Sequence, residues 1–451
     1  MSEQPLPSRP SLPRPTSAFA RESFPPRAHP DQYLTAGLPG IGGEIKVRAA
    51  DFVVEEIPAY QPSGEGEHLA LFIEKAGLST LQMVAILARH YRVGQGAIGY
   101  AGLKDKHAVT RQWVTVHLPG AAKQVPELPW HGKLSVLQAT RHGNKLRRGH
   151  LRGNRFEIRV RDMIAPTDES AARARATMTA LAATGMPNRF GEQRFGHAQN
   201  NHRVGRALVA GDAALAVWEL LLAPEDASPE HQPIRALIER GEFAEAANLL
   251  PEGAEAEIRV LHGLAVGRTP RAAFKGVSYV ARSFYLSALQ SAIFNGVLDR
   301  RLRDGTWDRI VEGDLAFKHG NGAVFSVDAA TASDPVTLER LSAGEISASG
   351  PMWGLRMPTA SGAIGALEVE HLAAAGLSPG SFEAFRQEWG EELAGDRRPL
   401  KVALAGAHVE AGADDHGPYV LCRFELPAGS FATAVMDEVM KTRAVRPDPS
   451  A

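Results

Sequence analysis

The chain has 451 residues, of which 44% are apolar and 22% charged, so we expect two globular domains with substantial cores. The formal net charge of −1 indicates no particular partner, and any affinity for nucleic acid must come from a local concentration of charge. The single cysteine, Cys422, excludes an internal disulfide, a cysteine-rich zinc site and a two-cysteine redox motif.

The two ends of the chain have the composition of disordered segments. Residues 1–30 are rich in Pro, Ser and Arg without a hydrophobic period, and residues 442–451 are polar. The N-terminus lacks the apolar run of a secretory signal, and nowhere does the chain approach the roughly 18 consecutive apolar residues of a membrane span. We therefore expect a cytoplasmic protein that is not associated with membranes.

Extended and helical patterns alternate over residues 46–118. Residues 46–57 and 67–74 (EHLALFIE) have the pattern of strands. Ser79 or Thr80 offers an N-cap for a helix whose apolar face is predicted to carry Leu81, Val84, Ala85 and Ala88. Residues 112–118 (QWVTVHL) again predict a strand, so Asp105 lies in a segment between two strands.

Further along the chain, Phe156, Ile158 and Val160 alternate with charged residues, which predicts a strand with one buried and one wet face. A helix predicted from about residue 169 to 184 is followed by the loop 187–196 (PNRFGEQRFG).

Helical patterns dominate from about residue 212 to 396 and include one long helix with an apolar face formed by Tyr285, Ala288, Leu289, Ala292, Ile293 and Val297. Residues 419–426 (YVLCRFEL) then predict a strand, and Ser430 is the predicted N-cap of a last helix that carries Ala432, Val435, Met436 and Val439.

Motifs for most cofactor-dependent chemistry are absent from the sequence. It contains no P-loop, no GxGxxG spacing between a strand and a helix, no HExxH and no GxSxG. If the protein is an enzyme, we expect it to use neither a cofactor nor a metal.

The segment 102–112 (GLKDKHAVTRQ) groups three charges and a histidine at residues 104–107, between two apolar strands. Such a loop is either a solvated turn or a catalytic loop on a rigid scaffold. In an extended backbone, Lys104 and Lys106 point to one face and Asp105 to the other, so the carboxylate can enter a cleft while the ammonium groups reach phosphate. Nearby cations also favour the ionised carboxylate.

A basic run follows at residues 141–161, which contain eight basic residues and one acidic residue. It is either a well-solvated loop or a phosphate-binding surface that supplies affinity without sequence specificity. From these two segments we select Lys104, Lys106, Arg147, Arg148 and Arg152 as candidate contacts to an RNA backbone.

Four ordered motifs resemble those of the TruD family of pseudouridine synthases. They are residues 51–55 (DFVVE), 102–112, 187–196 and 427–433 (PAGSFAT), and the similarity spans about residues 46–440. Arg189 departs from the family pattern, which has an aromatic residue there. The segment 204–275 is more helical than the resemblance leads us to expect, and it either contacts tRNA or serves as scaffold.

The resemblance implies a cofactor-free isomerase that acts on uridine 13 of certain tRNAs. Asp105 would be the catalytic aspartate, and Phe52, Asn188 and Phe431 would line the uridine pocket with Phe190 and Lys46 as neighbours. A carboxylate serves either as a nucleophile or as the group that stabilises and deprotonates a cationic sugar. The rings are suited to stacking on an extruded base and the amide to its edge, although core packing and a turn remain the plain alternatives for these residues.

The implied fold is α+β, a pseudouridine-synthase-like mixed and largely antiparallel sheet with flanking helices, plus an inserted and mostly helical domain. We predict catalytic segments at 31–213 and 406–441 around an insertion at 214–405, with tRNA bound between the domains by a monomer. Two rivals remain open at this stage, a non-catalytic RNA-binding or RNA-folding protein and a nucleoside hydrolase.

Overall fold

The computed structural model describes residues 12, 24, 29–30, 32–119, 132–222, 231–251 and 253–442. They form two compact units. The sheet unit contains residues 33–186 and the described residues from 402 onward; the helical unit contains 187–401 and the described residues before 33. Most of the predicted extension 1–30 and nearly all of the predicted tail 442–451 lie outside the described residues.

The changes of unit at 186/187 and 401/402 lie earlier than the predicted boundaries at 213/214 and 405/406. Helical sequence patterns become dominant only after residue 212, but the loop 187–196 already packs within the helical unit. Two-residue strands, Met186–Pro187 and Lys401–Val402, span these two points. The assignment of catalytic segments and insertion stays a prediction.

Within the described residues, the sheet unit consists of nine strands in one sheet and three α-helices. Its strands are β1 (Gly42–Glu44), β2 (Phe52–Pro58), β3 (His68–Ala76), β4 (Ile98–Tyr100), β5 (Val109–His117), β6 (Leu134–His142), β7 (Leu151–Met163), β14 (Ala405–Asp414) and β15 (Gly417–Pro427). Its α-helices are α1 (Thr80–Tyr91), α2 (Thr167–Thr184) and α14 (Ala432–Met440).

The strands form one mixed sheet in the order β14-β15-β7-β2-β5-β3-β6, with β1 added to β7 and β4 to β5. The β2–β5 pair is parallel, and the remaining ladders are antiparallel. The alternation at Phe156, Ile158 and Val160 places these side chains in a core shared with Val435 of α14. The mixed, largely antiparallel sheet with flanking helices confirms the predicted α+β class.

The helix α1 begins as predicted, and its buried face is shifted relative to the predicted one. Ser79 Oγ accepts a hydrogen bond from the Gln82 backbone, and the Gln82 side chain accepts one from the Ser79 backbone, which forms a capping box. Leu81 is 57% exposed, however, because Met83 and Leu87 join Val84 and Ala88 in the core instead.

The N-cap predicted for α14 is also one position off. Phe431 occupies the N-cap position, and Ser430 precedes it. The Ser430 hydroxyl is buried and has no hydrogen-bond partner among the described residues, so it does not cap the helix. The predicted apolar face of α14 is confirmed, since Ala432, Val435, Met436 and Val439 are all buried.

The helical unit contains helices and a small sheet that the sequence patterns did not indicate. Its helices are α3 (Asn201–Val209), α4 (Ala213–Leu221), α5 (Gln232–Glu239), α6 (Phe243–Leu249), α7 (Glu255–Ala265), α8 (Pro270–Lys275), α9 (Tyr279–Arg303), α10 (Ala329–Ser333), α11 (Pro335–Ser342), α12 (Gly362–Ala374) and α13 (Pro379–Trp389). Its strands β9 (Leu315–Lys318), β10 (Val324–Ser326), β11 (Ile346–Met352) and β12 (Asp396–Pro399) pair in the order β10-β9-β11-β12, whereas β8 (Met186–Pro187) and β13 (Lys401–Val402) lie at the unit boundaries.

The long helix α9 organises the helical unit. The six residues predicted to form its apolar face are all buried. None of the helices within the described residues is both long and apolar enough to cross a membrane.

Candidate active site

The loop that carries Asp105 connects β4 to β5 and is held by three buried side chains. Thr80 Oγ1 accepts a hydrogen bond of 2.9 Å from the Lys104 backbone N–H. Gln112 donates one of 3.4 Å to the Gly102 carbonyl, and Lys75 Nζ donates one of 3.0 Å to the Asp105 carbonyl. The motif 102–112 therefore contains both the loop and one of its supports, because Gln112 reaches back from β5.

The Asp105 carboxylate is held by two donors. Lys46 Nζ lies 2.6 Å from Oδ2, and the His107 backbone N–H donates to Oδ1 at 2.9 Å. The Asp105 side chain retains 15% exposure. Burial alone would raise the pKa of this carboxyl, but the Lys46 ammonium and the His107 N–H outweigh it and lower the pKa below its ordinary value. The carboxylate is therefore ionised at neutral pH and reachable from solvent.

Lys46 also contacts the predicted pocket residue Phe52. Its ammonium lies 4.6 Å from the centroid of the Phe52 ring, within the range of a cation–π interaction. The ring is buried and meets Phe156 edge-on at 6.4 Å between centroids. The structure thus brings Lys46, Phe52 and Asp105 together, with Lys46 between the ring and the carboxylate.

Lys104 is placed differently from the expectation that it reaches phosphate. Its side chain is 6% exposed, with Nζ 3.4 Å from Glu56 Oε2 and 2.5 Å from Asn154 Oδ1. Burial lowers the pKa of Lys104 and raises that of Glu56, while their mutual attraction opposes both shifts. We correct its role to support of the loop, because the loop folds over the sheet and turns this ammonium inward. Lys106 is exposed, as the RNA-contact prediction requires.

Lys75 is a further buried cation under the same loop, and we did not single it out from the sequence. Besides the Asp105 carbonyl, its Nζ donates to the Leu78 carbonyl at 2.7 Å. Burial lowers the pKa of Lys75 to about 8. Lys75 belongs to none of the four motifs, and its position in β3 gives no sign in the sequence that its side chain is buried.

The register of the sheet relates Phe431 to this loop. Glu56 faces Asn154, and Asn154 faces Leu426, so all three lie on the same face as Phe52. Helix α14 packs on that face through Val435 and Met436. Phe431 is half-buried and occupies the N-cap position of α14. It therefore lies at the N-terminal end of a helix that covers this face of the sheet. Glu56 and Asn154, which hold Lys104 of the Asp105 loop, lie on the same face.

The basic run 141–161 separates into two parts in the structure. Arg155 pairs with Glu55 at 3.1 Å and Glu425 at 2.8 Å, and Arg161 pairs with Asp51 and Asp414. Acidic residues elsewhere in the sheet unit thus neutralise these arginines, which corrects the view of the whole run as one phosphate-binding surface.

The connection from β6 to β7 holds the other part of the run. Arg147, Arg148 and Arg152 are exposed, and the Gly149 backbone N–H donates to the Ala101 carbonyl at 2.9 Å. That bond ties the connection to the start of the Asp105 loop. Arg147 and Arg148 therefore lie on a segment that contacts this loop, and Arg152 follows as the second residue of β7.

In the helical unit, Asn188 is buried and its amide is engaged. Its Nδ2 donates to the Pro399 carbonyl at 3.0 Å, and its Oδ1 accepts from Arg398 at 2.5 Å. Its backbone N–H donates to the Leu400 carbonyl at 2.8 Å. The amide is therefore fixed in orientation, and Arg398 is a partner that the sequence did not suggest.

Phe190 and Arg189 are anchored to α9. The Phe190 backbone exchanges two hydrogen bonds with the Asn295 side chain, at 3.0 and 2.9 Å, and the Phe190 ring lies 4.0 Å from the Arg398 guanidinium. Arg189, the departure from the family pattern, forms a buried ion pair with Asp299. Asn188, Phe190 and Arg189 thus belong to the helical unit, while Lys46, Phe52, Asp105 and Phe431 belong to the sheet unit.

Comparison with known proteins gives consistent matches over nearly the whole chain. A family model described as tRNA pseudouridine synthase D (TruD) matches residues 30–439. The chain is 45% identical over 423 residues to tRNA pseudouridine synthase D of Geobacter metallireducens, covering 92% of this chain and 99% of that protein. It is 36% identical over 424 residues to the protein of the same name from Thermus thermophilus, covering 94% and 95%. A TruD crystal structure from Methanosarcina mazei superposes with a TM-score of 0.74 at 27% identity, covering 93% and 98%.

Proposed function

The chain belongs to the TruD family of tRNA pseudouridine synthases, and we propose that it converts uridine 13 of tRNA into pseudouridine with the Asp105 carboxylate. The observation that carries this assignment is the ionised, partly accessible carboxylate held 2.6 Å from Lys46. Pseudouridylation of tRNA follows from the family, and the position of the uridine and the role of Asp105 are our proposal.

The reaction breaks the C1′–N1 bond of uridine and forms a C1′–C5 bond. The proton on C5 is lost and N1 gains one, so the mass of the RNA does not change. The carboxylate serves in one of two ways. It adds to C1′ while uracil leaves as an anion, and is displaced when C5 attacks; or it stays beside a cationic sugar, removes the C2′ proton and later returns it.

Both routes need Asp105 in its charged form throughout the attack. Lys46 supplies a fixed positive charge that favours this form, and the His107 N–H supplies a second donor. Because these donors are in place before substrate binds, no reorganisation is required when the sugar approaches. The ion pair with Lys46 also lowers the nucleophilicity of the Asp105 carboxylate. We therefore propose that Lys46 fixes the position and the ionised state of this carboxylate and does not increase its reactivity.

The proposed uridine must leave its stack, which costs a few kcal/mol in RNA. We propose that Phe431 contacts the extruded base, and that Phe52 supports the pocket through Lys46 rather than by stacking, since its ring is buried. Asn188 and Phe190 are buried as well, so we propose that they support the pocket and do not stack on the base. The exposed Lys106, Arg147, Arg148 and Arg152 are proposed to hold the RNA backbone.

The direct test uses tritium release from bulk tRNA labelled at uracil C5 and taken from cells that lack the gene. Wild-type protein should release tritium, and mapping of the product should locate pseudouridine at position 13. Asp105→Asn should release none while binding tRNA nearly as well as wild type. Turnover by Asp105→Asn at the wild-type rate would contradict the assignment of Asp105.

Two alternative activities give different results in the same assay. A non-catalytic RNA-binding protein releases no tritium from any substrate. A hydrolase of the glycosidic bond removes uracil, so the tRNA loses mass, whereas isomerisation leaves the mass unchanged. Pseudouridine at a position other than 13 would leave the enzyme class intact and refute only the site of modification.

A further inference from the structure

A second pocket lies in the sheet unit, next to the Asp105 loop and outside the residues assigned above. Its lining is mostly aromatic, proline and histidine side chains, with Glu56 at one side; the walls include Pro58, Tyr60, Trp113, His142, Leu146 and His150. Its free volume is about 280 Å³ including the open mouth. The enclosed part is small, so a planar ligand would lie across the mouth.

Tyr60 forms an exposed and oriented aromatic surface at this pocket. Its ring is 40% exposed, packs against His142 with 5.4 Å between centroids and an interplanar angle of 31°, and its hydroxyl lies 2.8 Å from His150 Nδ1. A ring that is fixed by its hydroxyl and supported from below loses little entropy when a flat ligand stacks on it. The exposed part of Tyr60 is therefore a suitable stacking surface.

His142 offers a polar group in the same wall. Its Nδ1 accepts a hydrogen bond from the Ser63 backbone N–H at 3.2 Å, which places the proton of the neutral ring on Nε2. That Nε2 is buried and has no hydrogen-bond partner among the described residues. A buried donor without an acceptor is costly, and a carbonyl or ring nitrogen of a ligand would satisfy it.

The surroundings of the pocket indicate which ligand class fits. Leu146 lines the pocket, and the exposed Arg147 and Arg148 follow it directly in the chain. Gly149, from the same segment, is bonded to Ala101 at the start of the Asp105 loop, and Glu56 contacts Lys104 of that loop. The pocket thus combines an aromatic surface and an unpartnered donor with cations on the adjoining segment, and contacts from its wall and from that segment reach the loop that carries Asp105.

We propose that this pocket binds an unpaired nucleobase of the RNA that lies within a few nucleotides of the target uridine. The base stacks on Tyr60, directs an acceptor atom to His142 Nε2, and has its phosphates beside Arg147 and Arg148. This inference rests on the proposed function, because it identifies the ligand of the pocket as part of the same substrate. It assigns the pocket a role in substrate recognition, not in the chemical step.

The test measures binding of bulk tRNA to the full chain in an Asp105→Asn background, so that turnover does not interfere. Tyr60→Leu removes the stacking surface and should raise Kd about tenfold, or about 1.4 kcal/mol. Tyr60→Phe keeps the ring and should bind within about threefold of the parent. With Asp105 intact, Tyr60→Leu should raise KM by a similar factor and leave kcat within about twofold.

A second measurement does not depend on removing the ring. A photo-reactive benzoylphenylalanine in place of Tyr60 should cross-link to a nucleotide within about three positions of the modified uridine. Equal Kd and KM for Tyr60→Leu and wild type, or a cross-link far from that uridine, would overturn the proposal. If instead the wild-type protein released no tritium while Tyr60→Leu still weakened tRNA binding, the proposed function would fail and the base-binding pocket would stand.

Discussion

The Lys46 ammonium lies between the Asp105 carboxylate, 2.6 Å away, and the face of the Phe52 ring, 4.6 Å from its centroid. Lys46 adopts a backbone φ of 61°, in the left-handed region that residues with a side chain rarely occupy. Such a conformation persists only where the surrounding contacts favour it. The left-handed backbone of Lys46 therefore coincides with the point where its ammonium contacts both Asp105 and Phe52.

Replacement of Lys46 by Met should move the pH dependence of catalysis. Without the ammonium, burial becomes the dominant influence on Asp105 and its pKa rises. The acid limb of kcat/KM should therefore shift to higher pH, and the rate at neutral pH should fall by about 10²-fold or more. A pH–rate profile of tritium release checks this, with Lys46→Arg as the variant that keeps the charge. An unshifted acid limb in Lys46→Met would show that Lys46 does not control Asp105.

Replacement of Lys75 by Met should weaken catalysis through the position of the loop. The buried Lys75 bonds the carbonyls of Leu78 and Asp105, so its loss leaves two acceptors to be satisfied otherwise, at about 1–3 kcal/mol each. We expect a lower kcat with nearly unchanged tRNA affinity, measured by single-turnover kinetics and filter binding. Lys106→Met, an exposed lysine of the same loop, is the control and should affect affinity more than kcat. The reverse pattern would refute both assignments.

Removal of the exposed arginines should reduce the salt dependence of tRNA binding. Arg147, Arg148 and Arg152 are exposed, whereas Arg155 is neutralised by Glu55 and Glu425. The triple alanine variant should bind more weakly, and the slope of log K against log salt should fall in magnitude by about 2 to 3, since each phosphate contact contributes about 1. Arg155→Ala is the matched control and should leave the slope unchanged. If Arg155→Ala lowered the slope as much as the loss of one of the other arginines does, the ion pairs of Arg155 with Glu55 and Glu425 would not prevent contact with RNA.

The buried His202 in α3 should make stability depend on pH. Burial lowers its pKa to about 3, and its Nε2 lies 2.9 Å from the Phe24 carbonyl. The unfolded chain takes up a proton below about pH 6.5, whereas the folded chain does not until about pH 3, so the free energy of unfolding falls as pH decreases through this window. Between pH 7 and 5 the loss is about 2 kcal/mol.

Chemical denaturation of His202→Gln at these two pH values checks this prediction. The variant should lose most of that pH dependence, even if it is less stable at pH 7. His262→Gln, an exposed histidine of the same unit, should keep it. The idea fails if wild type and His202→Gln show the same difference between pH 7 and 5.

The outcome of the sequence predictions differs between local and distant relationships. Asp105 in a loop between two strands, the cap at Ser79 and the buried face of α9 followed from spacing alone, because each depends on residues close in the chain. The inward orientation of the Lys104 side chain did not follow from spacing. The prediction assumed an extended backbone, whereas the loop folds so that Lys104 contacts Glu56 and Asn154. The small sheet of the helical unit was also missed, because its short strands lie between helical patterns.

The sequence by itself determined the fold class, the family and the segment that carries the candidate carboxylate, since motifs and hydrophobic periods are written along the chain. Only the tertiary structure decided which charged residues pair with one another around this segment. Lys46 meets Asp105 across 59 positions, and Asp414 meets Arg161 across 253. Whether a cation is neutralised, buried or left open to RNA depends on strand register and loop path, and those are fixed by packing between segments that no local pattern connects.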